Sequence, residues 1–123
     1  MPTPDELESQ HTLATATSRY DELRMRDALA TMSEESLTGP EALELLALSE
    51  VVIRKAGYGR QAMVRSARTG GASWTQIGAA LGTPKQSAWQ AHQRWIDDQA
   101  RQHEATGYEG LDPGEADQAR RLL

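Results

Sequence analysis

The chain has no cysteine and no phenylalanine, and only 5% of its 123 residues are aromatic. Without cysteine there is no disulfide framework and no thiolate metal site, which points to a reducing compartment. The three histidines, His11, His92 and His103, do not replace it. His92 and His103 share a helical face but stand three turns apart, ~16 Å by helical rise, too far to hold one ion. No apolar run approaches the ~20 residues that cross a bilayer. The opening Met1-Pro-Thr-Pro-Asp-Glu6 is acidic where a signal peptide would be basic. Neither a Gly-rich phosphate loop nor a Ser/His/Asp set can be assembled. These absences argue against an enzyme, a cofactor, a metal and a membrane partner, and favour the cytoplasm. The length allows one domain, or a small one with extensions, whose modest core a partner would help to close.

What is present is a set of helix starts. A Ser, Thr or Asp followed three residues later by Glu or Gln satisfies two backbone donors reciprocally, and Pro suits the first helical position. Thr3-Pro-Asp-Glu6, Thr38-Gly-Pro-Glu41, Thr83-Pro-Lys-Gln86 and Asp112-Pro-Gly-Glu115 combine both signals, and Ser73-Trp-Thr-Gln76 has the box alone. With no alternating strand pattern, the expected fold is all-α: long N-terminal helices, a helix-turn-helix, and a short C-terminal helix. A first helix is expected over 4–32, with one apolar stripe of Leu13, Ala16, Tyr20 and Leu23 and a second of Met25, Leu29 and Met32. A linker over 33–39 follows. One long helix is expected over 40–69, its face running Leu45, Leu48, Val52, Ala56, Gly59, Met63, Ala67. Gly57 and Gly59 cost it roughly 1 kcal/mol each relative to Ala, so a kink there is one outcome and close backbone packing is the favoured compensation. The expected organisation is an acidic dimerisation helix at 1–32, a core at 39–106 containing the motif 73–95, and a tail at 107–123.

Charge is unevenly spread. Residues 1–53 sum to −8, residues 54–101 to +6 and residues 102–123 to −3, which together give the net −5. A basic block between acidic ones suggests one surface for a polyanion and another for something else, although charge blocks on helices are also ordinary solvated faces.

The basic block contains the motif. A short helix from Ser73 to Leu81, a turn at Gly82, and a helix over 84–104 is an arrangement that presents its second helix to a major groove. Ile77 and Leu81 face inward, and Gly78 permits close approach. Ala88, Ala91 and Trp95 take the inner side of the second helix. Lys85, Gln86, Trp89, Gln90 and Gln93 are left outside as candidate base contacts: Gln pairs with adenine, Lys with guanine, and Trp packs on a thymine methyl. Arg60, Arg65, Arg68, Arg94 and Arg101 are candidate phosphate contacts, as are Ser73 and Thr75 at a helix start that offers N–H groups. Other roles stay open for several of these. Gln86 also completes a capping box with Thr83, Trp89 and Trp74 can fill core gaps, and Arg60 and Arg65 can be merely solvated.

The run 72–90, Ala-Ser-Trp-Thr-Gln-Ile-Gly-Ala-Ala-Leu-Gly-Thr-Pro-Lys-Gln-Ser-Ala-Trp-Gln, resembles the helix-turn-helix of short regulator-like proteins of high-GC Gram-positive bacteria. It is also similar to the DNA-contacting region of sigma factors. The segment Val64-Arg-Ser-Ala-Arg-Thr-Gly-Gly71 looks like the same group. Pro84 departs from it, since such motifs more often carry a Ser cap there. The resemblance implies that 84–93 is a recognition helix, and hence a homodimeric, nucleoid-associated transcriptional regulator on double-stranded DNA. Two other readings remain: an interaction module docking on RNA polymerase or a sigma factor, and an architectural or phage-type DNA-binding adaptor.

Overall fold

A computed structural model describes residues 2–30 and 36–123. Every regular element among them is helical: α1 (Pro4–Gln10), α2 (Leu13–Leu29), α3 (Gly39–Tyr58), α4 (Arg60–Thr69), α5 (Trp74–Leu81), α6 (Lys85–Thr106) and α7 (Pro113–Arg121). The chain is therefore all-α, and no described helix is long and apolar enough to cross a membrane. Four expected starts carry their reciprocal boxes: Thr3 with Glu6, Thr38 with Glu41, Ser73 with Gln76, and Asp112 with Glu115.

Two long helices prove shorter than expected. The helix expected over 4–32 is α1 and α2, parted at residues 11–12. The break has a chemical cause. Thr12 Oγ1 accepts the Thr15 N–H at 3.2 Å, and Thr15 Oγ1 accepts the Thr12 N–H at 3.0 Å. A threonine thus fills the place where a search for Glu or Gln finds nothing. The last part of that expectation, Met32, and positions 33–35 of the expected linker lie outside the described residues. The helix expected over 40–69 divides at Gly59 into α3 and α4. The compensating close packing at its glycines is not there: no atom lies within 4 Å of a Cβ built at Gly57 or Gly59. With their backbone cost uncompensated, the helix gives way.

That break is also the boundary between two compact units, Met1–Gly59 and Arg60–Leu123. Helices α1 and α2 therefore share a unit with α3 instead of standing apart from the 39–106 segment, and α7 packs on α6 instead of forming a separate tail. In the first unit Leu7, Ala16, Leu23, Ala47, Leu48 and Val51 form the core, with Tyr20, Leu37, Leu45 and Val52 against it. Of the expected stripe, Ala16 and Leu23 are buried in this core and Tyr20 packs against it, whereas Leu13 is exposed, as are Met25 and Leu29 of the other stripe. Of the face expected along 45–67 only Leu48 is buried; Leu45, Val52 and Ala67 are half-buried, Ala56, Gly59 and Met63 are exposed, and in α4 burial falls on Val64, one position off that face. Ion pairs stitch α2 and α3. Arg19 donates to both Glu44 carboxylate oxygens at 3.0 and 2.8 Å, and Arg26 to those of Glu41 at 2.7 and 3.3 Å. The Arg26 guanidinium holds the Glu41 carboxyl at a pKa of about 2.

The second unit has two small cores. Val64, Ile77 and Ala88 pack with Ala67, Ala72, Trp74 and Leu81, and Ile96, Leu111, Ala116 and Ala119 pack with Trp95, Ala100 and Leu123. Both are dominated by Ala and medium aliphatics, so each large side chain carries a large share of the burial.

Leu48 is fully buried at the centre of the first core. Leu48→Ala should lower unfolding free energy by about 2–5 kcal/mol, read from the denaturant midpoint. A loss well under 1 kcal/mol would mean that this core does not hold the first unit together.

Candidate nucleic-acid interface

Two glycines set the junction between α5 and α6. A Cβ at Gly78 would stand 2.7 Å from the Thr83 carbonyl oxygen and 3.0 Å from the Lys85 nitrogen, so only glycine lets the α6 entry pass this close. Gly82 ends α5 at φ +70°, a conformation that glycine adopts at little cost. The Thr83 N–H then returns to the Gly78 carbonyl at 2.9 Å.

The α6 start departs from expectation. Its N-cap is Pro84, with no side-chain cap, so the box between Thr83 and Gln86 is not made. Pro84 occupies the cap itself and moves the helix start on by one residue, leaving Gln86 at the second helical position rather than the third. Its amide is exposed and is not tied to Thr83. The start of α6 thus leaves its first-turn N–H groups without a side-chain acceptor, while at the α5 start the Ser73 hydroxyl takes the Gln76 N–H at 3.1 Å.

Along α6 the buried line is Ala88, His92 and Ile96, with Ala91 and Trp95 half-buried beside it. This is rotated from the expected Ala88–Ala91–Trp95 line because a histidine serves as core. His92 is 2% exposed, stacked on Trp95 at 5.4 Å between ring centroids and tilted against Trp74 at 5.6 Å. Its Nδ1 lies 2.9 Å from Gln61 Oε1. As a metal ligand His92 stands too far from His103, but its spacing of four from both Ala88 and Ile96 is the signature of a core position. Among the described residues no group of three His, Cys, Asp or Glu is placed to hold a metal.

The opposite face keeps the candidate base contacts together. Lys85, Gln86 and Gln90 are exposed, while Trp89 and Gln93 are half-buried. Lys85, Gln86 and Trp89 line a groove of about 230 Å³ with Trp74, which places Trp74 partly at this surface as well as over the core. Gln93 is followed one turn later by Asp97, paired with Arg120 at 3.3 Å, so the run of neutral amides ends there.

The candidate phosphate contacts fare unequally. Arg68 is removed from the set: its Nε donates to the Leu122 carbonyl at 2.6 Å, one terminal nitrogen donates to the Ala72 carbonyl at 2.7 Å, and its guanidinium sits 5.3 Å from the Trp74 ring centroid. It acts as a clasp between the α4–α5 corner and the C-terminal residues. Arg101 pairs with Asp98 on the exposed side of α6. Ser73 and Thr75 are exposed, with the Ser73 hydroxyl already engaged in its cap. Arg60, Arg94 and Lys85 are exposed and Arg65 is half-buried, and none of the four makes an ion pair among the described residues. The basic block also straddles the unit boundary, because Arg54 belongs to the first unit and binds Asp5, Glu8 and Glu50 there. Positive charge is concentrated instead at 60–96, which holds five Lys/Arg and no acidic residue.

No family model, curated protein or solved structure matches this chain.

His92 makes the second unit sensitive to acid. Burial, then Arg65 and Arg68, lower its pKa below the ordinary 6.5. The unfolded chain therefore takes up a proton first, so stability is full above about 6.5 and falls as pH drops from there to the folded-state value. Denaturant midpoints measured downward from pH 7 should show this loss, and His92→Gln should flatten it. An unchanged slope in that variant would assign the acid sensitivity to other groups.

Proposed function

We propose that the protein binds double-stranded DNA sequence-specifically as a homodimer, with α5, the Gly82 turn and α6 used as a helix-turn-helix and the start of α6 as the reading element. The observation that carries this is the outer face of the first turns of α6. Lys85, Gln86, Trp89, Gln90 and Gln93 stand together on a helix whose start has no side-chain cap and whose other side is buried. A row of amides with one ammonium and one indole is suited to base edges, which offer paired donors and acceptors and the thymine methyl. The absence of acidic residues from 60–96 favours the same partner, and Arg60, Arg65 and Arg94 supply cations for phosphates. Two copies are part of the proposal because one small module buries too little surface for tight specific binding. The resemblance of 72–90 to short bacterial regulators favours a nucleoid-associated role in transcription, without catalysis.

Selection from a random duplex library should enrich a motif with two related half-sites. Arg60, Arg65 and Arg94 in each copy correspond to about six phosphates in a dimer, so log affinity should fall against log salt with a slope of about −5. Gln90→Ala should cost about 1–3 kcal/mol on the selected site and relax preference at one position of each half-site. Arg94→Ala should weaken selected and random DNA alike and reduce the slope by about one per copy. If the protein binds no duplex at low salt, the DNA reading fails. If Lys85→Ala, Gln86→Ala and Gln90→Ala all leave preference intact, α6 is not the reading element.

A further inference from the structure

Helix α3 is apolar on two sides. One side, Ala47, Leu48 and Val51, is buried in the first unit. The other presents Ala42, Leu46, Ser49, Ile53 and Ala56 at spacings of 4, 3, 4 and 3. That is the 3.5-residue repeat of a helix seam, which keeps one line of side chains against a facing helix over several turns. Nothing in the first unit covers it: Leu46 is 66% exposed, Ile53 67%, Ala42 and Ala56 are exposed, and Ser49 is half-buried.

We propose that this seam is where two copies of the chain meet, α3 lying antiparallel to α3 of the second copy about a two-fold axis at Ser49. The inference rests on the two-copy part of the function proposed above and needs nothing from DNA.

The sequence of the seam argues for a second copy over an unlike partner. Reversed, it reads small, large, small, large, small again. Antiparallel pairing therefore puts Ala42 opposite Ala56 of the second copy, Leu46 opposite Ile53, and Ser49 opposite Ser49, and then the same layers in reverse. A two-fold interface requires this property, that each residue meet the counterpart of its own counterpart. Small residues at the ends and centre let the helix axes approach to the short end of the usual 8–10 Å range, and the Leu–Ile layers fill the space between. Beside Leu46 a groove of about 360 Å³, lined by Tyr20, Leu37 and Leu45 and also by Arg24 and Asp27, gives the large side chains of the second copy somewhere to enter.

Charge permits the contact despite the acidity of this half of the chain. The seam itself carries no ionisable residue. The carboxylates of α3 are bound by arginines of their own chain: Glu41 by Arg26, Glu44 by Arg19, and Glu50, beside the centre of the seam, by Arg54 at 3.2 Å. The exposed apolar residues of α2, Leu13, Met25 and Leu29, offer no comparable line, since Leu13 stands apart and Asp21, Glu22, Arg24 and Arg26 crowd the other two.

The absence of native cysteine makes the geometry directly testable. Ser49→Cys places a lone thiol at the proposed axis, and Ser18→Cys places one on the exposed side of α2 as a control. Mild oxidation of the full chain should link Ser49→Cys into covalent dimers rapidly and leave Ser18→Cys mostly monomeric. Sedimentation of the unmodified chain should show dimers at tens of micromolar. Leu46→Asp and Ile53→Asp, both at exposed positions, should keep full helicity by circular dichroism and raise the dimer dissociation constant by roughly 100-fold or more, because a carboxylate would be buried unpaired. Dimers that survive both Asp variants, with equal linking at 18 and 49, would place the copies on another face and leave the two-copy reading standing. A chain that is monomeric at high micromolar concentration would overturn both.

Discussion

Backbone passes very close to backbone where α5 meets the entry to α6, and the rest of the second unit is arranged around that approach. With hydrogen alone at Gly78, the carbonyl of Thr83 and the first residue of α6 settle directly on α5. Gly82 makes the reversal in a left-handed conformation, and Pro84 starts the helix without a side-chain cap. Once α6 leaves the turn in that direction, Ala88, His92 and Ile96 fall inward and the amides of Gln86 and Gln90 fall outward. Any side chain at Gly78 would push the α6 start away and re-aim that outer face, since backbone cannot yield as a flexible side chain can.

Between the two small aliphatic cores, the interior beneath that face is a cluster of rings. With no phenylalanine, the unit fills its centre with His92 between Trp74 and Trp95, and Arg68 lies against Trp74 while holding two carbonyls. A neutral imidazole packs there as a flat, half-apolar ring. Its protonation is opposed by burial and by the two nearby arginines, so the acid sensitivity follows from how this core is built. Arg68 shows the same economy. A cation that would serve a surface phosphate is spent on the carbonyls of Leu122 and Ala72, where an unmet acceptor would weaken the corner.

Acidic and basic residues are used differently in the two units. In the first, Arg19, Arg26 and Arg54 are tied to carboxylates of the same chain, and the longest uncovered apolar line is Leu46–Ile53 of α3. In the second, Arg60, Arg65, Lys85 and Arg94 make no ion pair among the described residues, and the outer face of the α6 start is largely polar. The proposed division of labour, self-association in one unit and DNA in the other, follows that difference in what each leaves unsatisfied.

Helix content and most starts were legible in the residues, because caps such as Thr38 with Glu41 and Asp112 with Glu115 are local chemistry within one turn. The outward placement of Lys85, Gln86 and Gln90 was legible too, since periodicity along one helix decides it once Ala88 is taken as inner. Tertiary structure decided the rest. The threonine pair 12 and 15 ended a helix that composition would have continued, and the uncompensated glycines 57 and 59 turned one long helix into the boundary of two units. His92 became core, and Arg68 a clasp, only because residues distant in sequence, Gln61 for one and Leu122 for the other, came within hydrogen-bonding distance. Which apolar line of α3 is buried was likewise undetermined by its pattern: both sides are periodic, and only the packing of α1 and α2 against Ala47, Leu48 and Val51 chose between them. A sequence fixes which side chains share a face through bond geometry, but which face is covered depends on what else the chain brings to it.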